Sequence, residues 1–210
     1  MTHKISIRND FSGEAHLLGA LPNNPVELFL SWFEEAKRFS EFNAMTLCTY
    51  MGAKANARIV YCKEITQEGL VFFSNYNSQK GLELAENPNA CCLFYWKELQ
   101  RQVKFVGVVE KISLEASDAY FATRPRESQI GAWASPQSKT LKDSKTLVAL
   151  YKEQEDKWQN QDVARPEFWG GYILKFQDIE FWQGKASRLH DRVLYTKQNQ
   201  VMWQLSRLAP

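Results

Sequence analysis

Residues 45–64 read "MTLCTYMGAKANARIVYCKE". Two runs rich in β-branched and aromatic residues, "MTLCTY" and "ARIVYCKE", flank the polar, Gly-containing "MGAKAN". This is the pattern of strand, turn, strand. Alternation puts Arg58, Val60 and Cys62 on one face, and Ile59, Tyr61 and Lys63 on the other. The pattern recurs in "LVFFSN" (70–75), "ACCLFYW" (90–96) and "RQVKFVGVVEKI" (101–112), separated by "TQEG" and by "NSQKGLELAENPN", a turn or short helix. Further on, "FWGGYILKF" (168–176) and "DIEFWQG" (178–184) read as two strands. "RVLYT" and "VMWQLS" form a hairpin across "KQNQ" (197–200).

Upstream of 45 the period is different. "PNNPVELFLSWFEEAKRF" (22–39) predicts a helix with Asn24 as N-cap and Pro25 at the first helical position. Phe29, Trp32, Phe33 and Ala36 fall on its inner face at i, i+3, i+4, i+7. Helical patterns return at 114–124 and 143–160, and residues 1–20 read as an arm with little periodicity. Many short strands with helices outside them imply an α+β fold built on a small, mostly antiparallel β-barrel, with an open sandwich as the alternative. No repeat or linker divides the chain, so residues 21–210 are expected to form one domain.

The chain has 210 residues and a formal net charge of +2, which gives no broad basic field and disfavours nucleic acid as a partner. Anion recognition must then come from a few placed side chains. The four cysteines, Cys48, Cys62, Cys91 and Cys92, form no C-x-x-C pair and lie in apolar, strand-like surroundings. Reduced thiols are expected, not a metal site or disulfide frame. The opening "MTHKISIRND" lacks the apolar core of a signal peptide, and no apolar run approaches the ~20 residues that span a bilayer. A cytoplasmic location follows, with no membrane partner.

Four places carry anion-handling residues. Arg58 and Lys63 lie towards opposite ends of an apolar strand, where such residues ordinarily just cap a strand at the water boundary. "FFSNYNSQKG" passes from strand to helix through Ser74, Asn75, Asn77 and Ser78, with Lys80 in the first turn. Free N–H groups there favour an anion, although an ordinary Ser or Asn cap uses the same residues. In "YFATRPRESQIGAW" (120–133), a helix would make Tyr120 and Arg124 i, i+4 neighbours. Pro125 would end that helix, and Ser128 could fold back to the same spot. A phenol, a guanidinium and a hydroxyl converging suit a phosphate monoester; a helix C-terminus stabilised by Arg is the plain alternative. Finally, "FWQGKASRLHDRVLY" (181–195), read as extended, points Arg188, His190 and Arg192 to one side. A solvated strand edge is its ordinary account.

Taken together, "RIVYCK", "FFSN…QK", "RQV", "YFATRPRESQIGAW", "PQS", "FWGGY", "IEFWQG", "RLHDR" and the terminal "RLAP" resemble the pyridoxamine/pyridoxine 5′-phosphate oxidase family, in order, from about residue 7 onward. "RPRESQIGAW" and "FWQG…RLHDR" are the most specific parts. The resemblance implies an FMN-binding split β-barrel and a homodimer with active sites at the subunit interface. It implies oxidation of pyridoxamine 5′-phosphate or pyridoxine 5′-phosphate to pyridoxal 5′-phosphate, with O2 reduced to H2O2. The implied flavin contacts are Arg58, Ile59, Val60, Tyr61, Cys62, Lys63, Phe73, Ser74, Gln79, Lys80, Gln102, Gln137, Ser138, Trp182 and Arg192. Lys63, Tyr120, Arg124 and Ser128 would take the substrate phosphate. Arg188 and His190 would contact the pyridine ring, as catalytic residues with positioning and electrostatic roles.

Three departures from the family pattern stand out. Gln79 occupies a position that is usually Arg, Phe11 replaces a Tyr of the N-terminal arm while Arg8 is kept, and the hairpin "TYMGAKANAR" is short. Two other readings use part of the same residues. A split-barrel reductase taking hydride from a nicotinamide would not need Tyr120, Arg124 and Ser128 together. A carrier of pyridoxal 5′-phosphate would not need Gln102, Trp182 and Arg192.

Overall fold

The computed structural model describes Phe11, Leu17 and residues 19–210; Arg8 and the rest of the 1–20 arm lie outside the described residues. In chain order the elements are α1 (Pro25–Ala36), β1 (Ala44–Met51), β2 (Lys54–Tyr61), β3 (Glu64–Ile65), β4 (Gly69–Asn75), α2 (Gln79–Glu86), β5 (Asn89–Trp96), β6 (Arg101–Lys111), α3 (Leu114–Ala122), α4 (Arg126–Ala134), α5 (Ser144–Lys157), β7 (Trp169–Gln183), β8 (Asp191–Lys197) and β9 (Trp203–Leu208). The hydrogen-bonded order among the described residues is β2-β1-β5-β6-β7-β4-β3, with β8 on β7 and β9 on β8. The pairs β3–β4, β4–β7, β7–β8 and β8–β9 are antiparallel.

The contacts group the described chain into two compact units. One takes the chain up to Thr46 with Cys91–Val106 and Phe176–Pro210; the other takes Leu47–Ala90 and Gly107–Lys175.

In the first unit, α1 starts as its sequence requires. Asn24 Oδ1 accepts from the Val26 N–H at 3.0 Å, and Pro25 at N1 has no N–H to leave unsatisfied. Its apolar stripe is buried: Phe29 packs on Phe105 (ring centroids 4.7 Å) and Phe94 (5.3 Å), and Trp32 stands edge-on to Phe181. Removing a ring as fully buried as Phe29 costs about 3–5 kcal/mol. The hairpin across "KQNQ" is present as β8–β9, from Arg192↔Leu208 to Lys197↔Trp203.

In the second unit, β4 pairs with the first half of β7, setting Phe73 opposite Gly171 and Ser74 opposite Gly170. Both glycines sit in close packing. A Cβ at 170 would overlap the Tyr76 hydroxyl, and one at 171 would overlap Ile112 and lie 2.9 Å from Phe73 Cε1. Val60 and Cys62 are buried while Ile59 and Tyr61 are exposed, as alternation along β2 predicts. Phe121, Ile130, Val163 and Trp169 form a further buried cluster under α3 and α4.

Three expectations need correcting. "FWGGYILKF" and "DIEFWQG" are not two strands but the single 15-residue β7. Gln177 does not break it, because its first half bonds to β4 and its second half to β8. Arg124 does not share a helix with Tyr120: α3 stops at Ala122, Arg124 lies in the turn, and α4 starts at Arg126 after Pro125 as N-cap. Pro125 therefore ends one helix and begins another. "RLHDR" is not extended either. Ala186–Arg188 is a 3-10 turn with Ser187 and Arg188 at φ 57° and 62°, and β8 begins only at Asp191. Arg188, His190 and Arg192 thus lack the shared strand face that alternation would give them.

Candidate active site

The second unit holds a cavity of about 730 Å³, within the range of small-molecule and cofactor sites. Ile59, Val60 and Tyr61 of β2 line it with Lys63 of the following loop, Phe73 and Ser74 of β4, and Lys80 of α2. Tyr120, Arg124, Ser128 and Gln137 complete the sequence-selected residues in its wall. Although Arg124 is off the helix, the α3–turn–α4 geometry still brings it to the same cavity as Tyr120 and Ser128.

Aromatic packing builds one wall. Phe73 stacks on Tyr120 with centroids 3.7 Å apart and planes at 12°, and on Trp169 at 5.5 Å and 14°. The Arg124 guanidinium lies 4.6 Å over Trp169 and 5.5 Å from the centre of Phe121. These faces hold it by cation–π attraction and strip it of water. Burial accordingly lowers its pKa, with Tyr120 opposing the shift. Its Nη1 is buried and has no hydrogen-bond partner among the described residues. A buried charged donor left open in this way calls for an anion.

The helix α2 provides a second polar region. Ser78 caps it, its Oγ accepting from the Gly81 N–H at 3.4 Å while donating to the Asn75 carbonyl at 2.6 Å. Lys80 Nζ donates to Ser78 Oγ and to Gln137 Oε1, each at 3.3 Å. Burial draws the Lys80 pKa down, the Arg58 charge adds to this, and Glu83 opposes it.

Arg58, Gln79, Cys62 and Ser138 lie outside the cavity lining. Arg58 donates to Glu83 Oε2 at 2.7 Å, to Thr49 Oγ1 at 2.5 Å and to the Leu47 carbonyl at 3.2 Å. Glu83 has no exposed surface and also accepts from Thr49 (2.5 Å), Asn56 (2.5 Å) and Gln79 (3.1 Å). Burial alone would raise its pKa, but these hydrogen bonds and the Arg58 charge hold it below the usual carboxylate range. Cys62 is buried, which pushes its thiol up to about 12, and its Sγ donates to the Glu64 carbonyl. Ser138 is exposed, with φ 69°.

The sequence reading missed Glu83, Thr49 and Asn56, and in the cavity wall Thr123, Pro125, Ala132, Ser135 and Trp169. Glu83 resembles any surface glutamate until its burial is known. Trp169 had a signal, a large ring beside the two glycines of "FWGGY".

The remaining selected residues belong to the first unit. Gln102 is half-buried on β6. Arg192 gives Nε and Nη2 to Glu180 Oε1 at 2.8 and 2.7 Å, and Nη1 to the Ala209 carbonyl. Lys104 bonds the other oxygen of Glu180 at 2.5 Å. Trp182 packs against His190 (centroids 4.7 Å), and Phe11 meets both edge-on at 5.2 and 5.4 Å. Arg188 sits on the left-handed turn just before His190.

Comparison with known proteins covers the stretches that carry these residues. Residues 33–156 match the family model described as pyridoxamine 5′-phosphate oxidase, and 169–210 match the pyridoxine 5′-phosphate oxidase C-terminal dimerisation region. The chain is 45% identical to a pyridoxine/pyridoxamine 5′-phosphate oxidase of Trichormus variabilis, over 97% of each chain. It is 46% identical to one of Burkholderia thailandensis over the whole of both. The structure is similar to PhzG from Burkholderia lata, solved in complex with tetrahydrophenazine-1-carboxylic acid (TM-score 0.84, 28% identity, 90% of this chain and 94% of that one). It also resembles a pyridoxamine 5′-phosphate oxidase-related, FMN-binding protein from Nostoc punctiforme (TM-score 0.71, 14% identity, 92% and 100%). That likeness bears out the α+β split-barrel fold. With both family models matching in order and full-length relatives at this identity, the chain belongs to the pyridoxamine 5′-phosphate oxidase family.

Proposed function

We propose that this enzyme is an FMN-dependent oxidase that converts pyridoxamine 5′-phosphate and pyridoxine 5′-phosphate to pyridoxal 5′-phosphate, reducing O2 to H2O2. The observation that carries the reading is the buried, unpartnered Nη1 of Arg124 in the wall it shares with Tyr120 and Ser128. A phosphate monoester would satisfy that donor, accept from the phenol and the hydroxyl, and draw on Lys63 for further charge. The relatives named for this reaction support the same choice.

The residues present also fit FMN. Lys80, Ser74 and Gln137 supply a cation and polar groups in the cavity wall beside the apolar Ile59, Val60 and Phe73. Arg58, Tyr61, Cys62, Lys63, Gln79, Gln102, Ser138, Trp182 and Arg192 complete the set that would hold it. When bound, FMN supplies the hydride acceptor and passes the electrons on to O2. The chain's own work is to anchor and orient. Phosphate binding at Arg124, far from the reacting carbon, provides the energy that fixes the substrate's position. Arg188 and His190 contact the pyridine and hydrogen-bond its substituents.

The match to a dimerisation region supports a homodimer; the active sites are proposed to lie at its subunit interface. Among the described residues no helix is long and apolar enough to cross a membrane, in keeping with work in the cytoplasm. Mixing the purified yellow protein anaerobically with pyridoxamine 5′-phosphate should bleach the flavin absorbance, and admitting air should restore it. A flavin-free protein that binds pyridoxal 5′-phosphate would point to a carrier. A flavin bleached by a reduced nicotinamide but not by pyridoxamine 5′-phosphate would point to a reductase.

A further inference from the structure

His190 makes a hydrogen bond that restricts what its ring can do. Its Nδ1 accepts from the backbone N–H of Lys185 at 3.1 Å. A main-chain N–H is always a donor, so the atom it meets must present a lone pair. A neutral imidazole has one lone pair and one N–H. With Nδ1 committed as acceptor, the proton of neutral His190 sits on Nε2, which then has no lone pair to offer.

The surroundings keep the ring in that setting. Trp182 packs on it at 4.7 Å and Phe11 meets it edge-on at 5.4 Å. The hydrogen bond also closes the loop 185–190, whose Ser187 and Arg188 both have left-handed backbones and whose Leu189 N–H returns to the Ala186 carbonyl at 3.1 Å. Non-glycine residues in that region cost of order 1 kcal/mol each and persist where neighbours enforce them. The His190 ring is one of those neighbours. A proton on Nδ1 would set two N–H groups against each other and release the turn that carries Arg188.

We infer that His190 faces the substrate as a fixed hydrogen-bond donor through Nε2–H, and that it positions Arg188 through Nδ1, instead of acting as the base that takes the substrate's proton. This rests on the oxidase reading above for the substrate's place beside His190. The two substrates differ in what they require. Hydride loss from a neutral CH–NH2 gives C=NH2+ with no proton leaving in that step. Hydride loss from CH–OH gives protonated C=OH+, and the O–H proton must then go to an acceptor, which on this inference is water. With the amine already neutral, at a pH above its own pKa, a base would therefore matter to the alcohol and not to the amine.

The direct test is the proton itself. The chain has three histidines, His3, His16 and His190. Replacing His3 and His16 by Gln leaves one ring signal in FMN-loaded enzyme labelled with 15N-histidine. One-bond 1H–15N coupling at Nε2 alone, at neutral pH, is the expected result; a proton on Nδ1, or on both nitrogens, overturns the inference. Kinetics give a second reading. In His190→Gln and His190→Ala, kcat/KM should fall by a common factor for amine and alcohol, their ratio moving less than about 3-fold. Loss of a general base would lower the alcohol alone by a further ~10²-fold or more, and that split would also overturn it. If the parent protein oxidises neither substrate, the functional reading fails while the NMR result still decides the proton's place.

Discussion

Glu83, with no exposed surface, accepts the guanidinium of Arg58 at 2.7 Å. Thr49 donates to the same carboxylate oxygen, while Asn56 and Gln79 donate to the other. Removing one partner of such a pair leaves a poorly solvated charge, because Arg58 is itself only 20% exposed. Glu83→Ala should therefore lower unfolding free energy by about 3 kcal/mol, seen as a lower urea midpoint at unchanged slope. A variant as stable as the parent would show that the network contributes nothing net.

The same carboxylate sets an acid limb. Glu83 and Glu180 both have folded-state pKa values below the ordinary 4.5. Burial works against this in each; hydrogen bonds to Thr49, Gln79 and Asn56 outweigh it at Glu83, and those to Lys104 and Arg192 at Glu180. The unfolded chain then binds more protons than the folded one in that window, so stability rises with pH there. The contribution should be complete above the unfolded value and disappear as pH falls through the folded ones. Urea titrations across this range should show that limb, and Glu83→Gln should flatten it.

Arg124 offers a cleaner separation of substrate from cofactor. Arg124→Leu removes the guanidinium stacked over Trp169 and with it the open Nη1 donor. A charged hydrogen bond of about 1.5–3 kcal/mol is lost, so KM for pyridoxamine 5′-phosphate should rise roughly 10- to 100-fold. FMN retention should not change, nor should any turnover of unphosphorylated pyridoxamine. Equal losses with and without the phosphate would place the substrate phosphate elsewhere.

Arg188 and Arg192 are expected to divide their work. Arg188→Leu should keep FMN and lower kcat/KM on the order of 10²-fold, the scale of one preorganised polar contact. Arg192→Leu removes one of two cations held on buried Glu180, and should weaken FMN retention together with stability. If Arg188→Leu loses FMN but turns over normally once FMN is supplied in excess, the division is wrong.

Cys62 should be unreactive in the folded protein. Burial pushes its thiol up to about 12, leaving almost no thiolate at pH 8. Iodoacetamide followed by peptide mass spectrometry should find it unmodified under native conditions and alkylated in urea.

Strand positions and the α1 cap were legible because alternation and capping act locally: Val60 and Cys62 went in, and Asn24 capped. The chemistry of the cavity was legible for a different reason. A guanidinium, a phenol and a hydroxyl all donate hydrogen bonds, a combination suited to an anion, so "YFATRPRES" stood out before Arg124 had a place. What was lost depended on tertiary contacts. The bend at Ser187 and Arg188 needs positive φ in residues that seldom adopt it, and it is held by a ring that comes two residues later. Pro125 as the start of α4 was hidden by its equally good reading as the end of α3. Glu83 carries no mark in its own neighbourhood, since Thr49, Asn56 and Arg58 come from more than twenty residues upstream.

The packing of Gly171 bears on how this cavity can diverge. A methyl group at 171 would lie 2.3 Å from Ile112 Cδ1 and 2.9 Å from Phe73 Cε1, so admitting one would displace the Phe73 ring that stacks on Tyr120. On α4, by contrast, a side chain added at Gly131 in the same wall would meet open space. Descendants of this chain that come to accept larger or differently shaped molecules are thus expected to have changed along the helix, with the strand inherited intact.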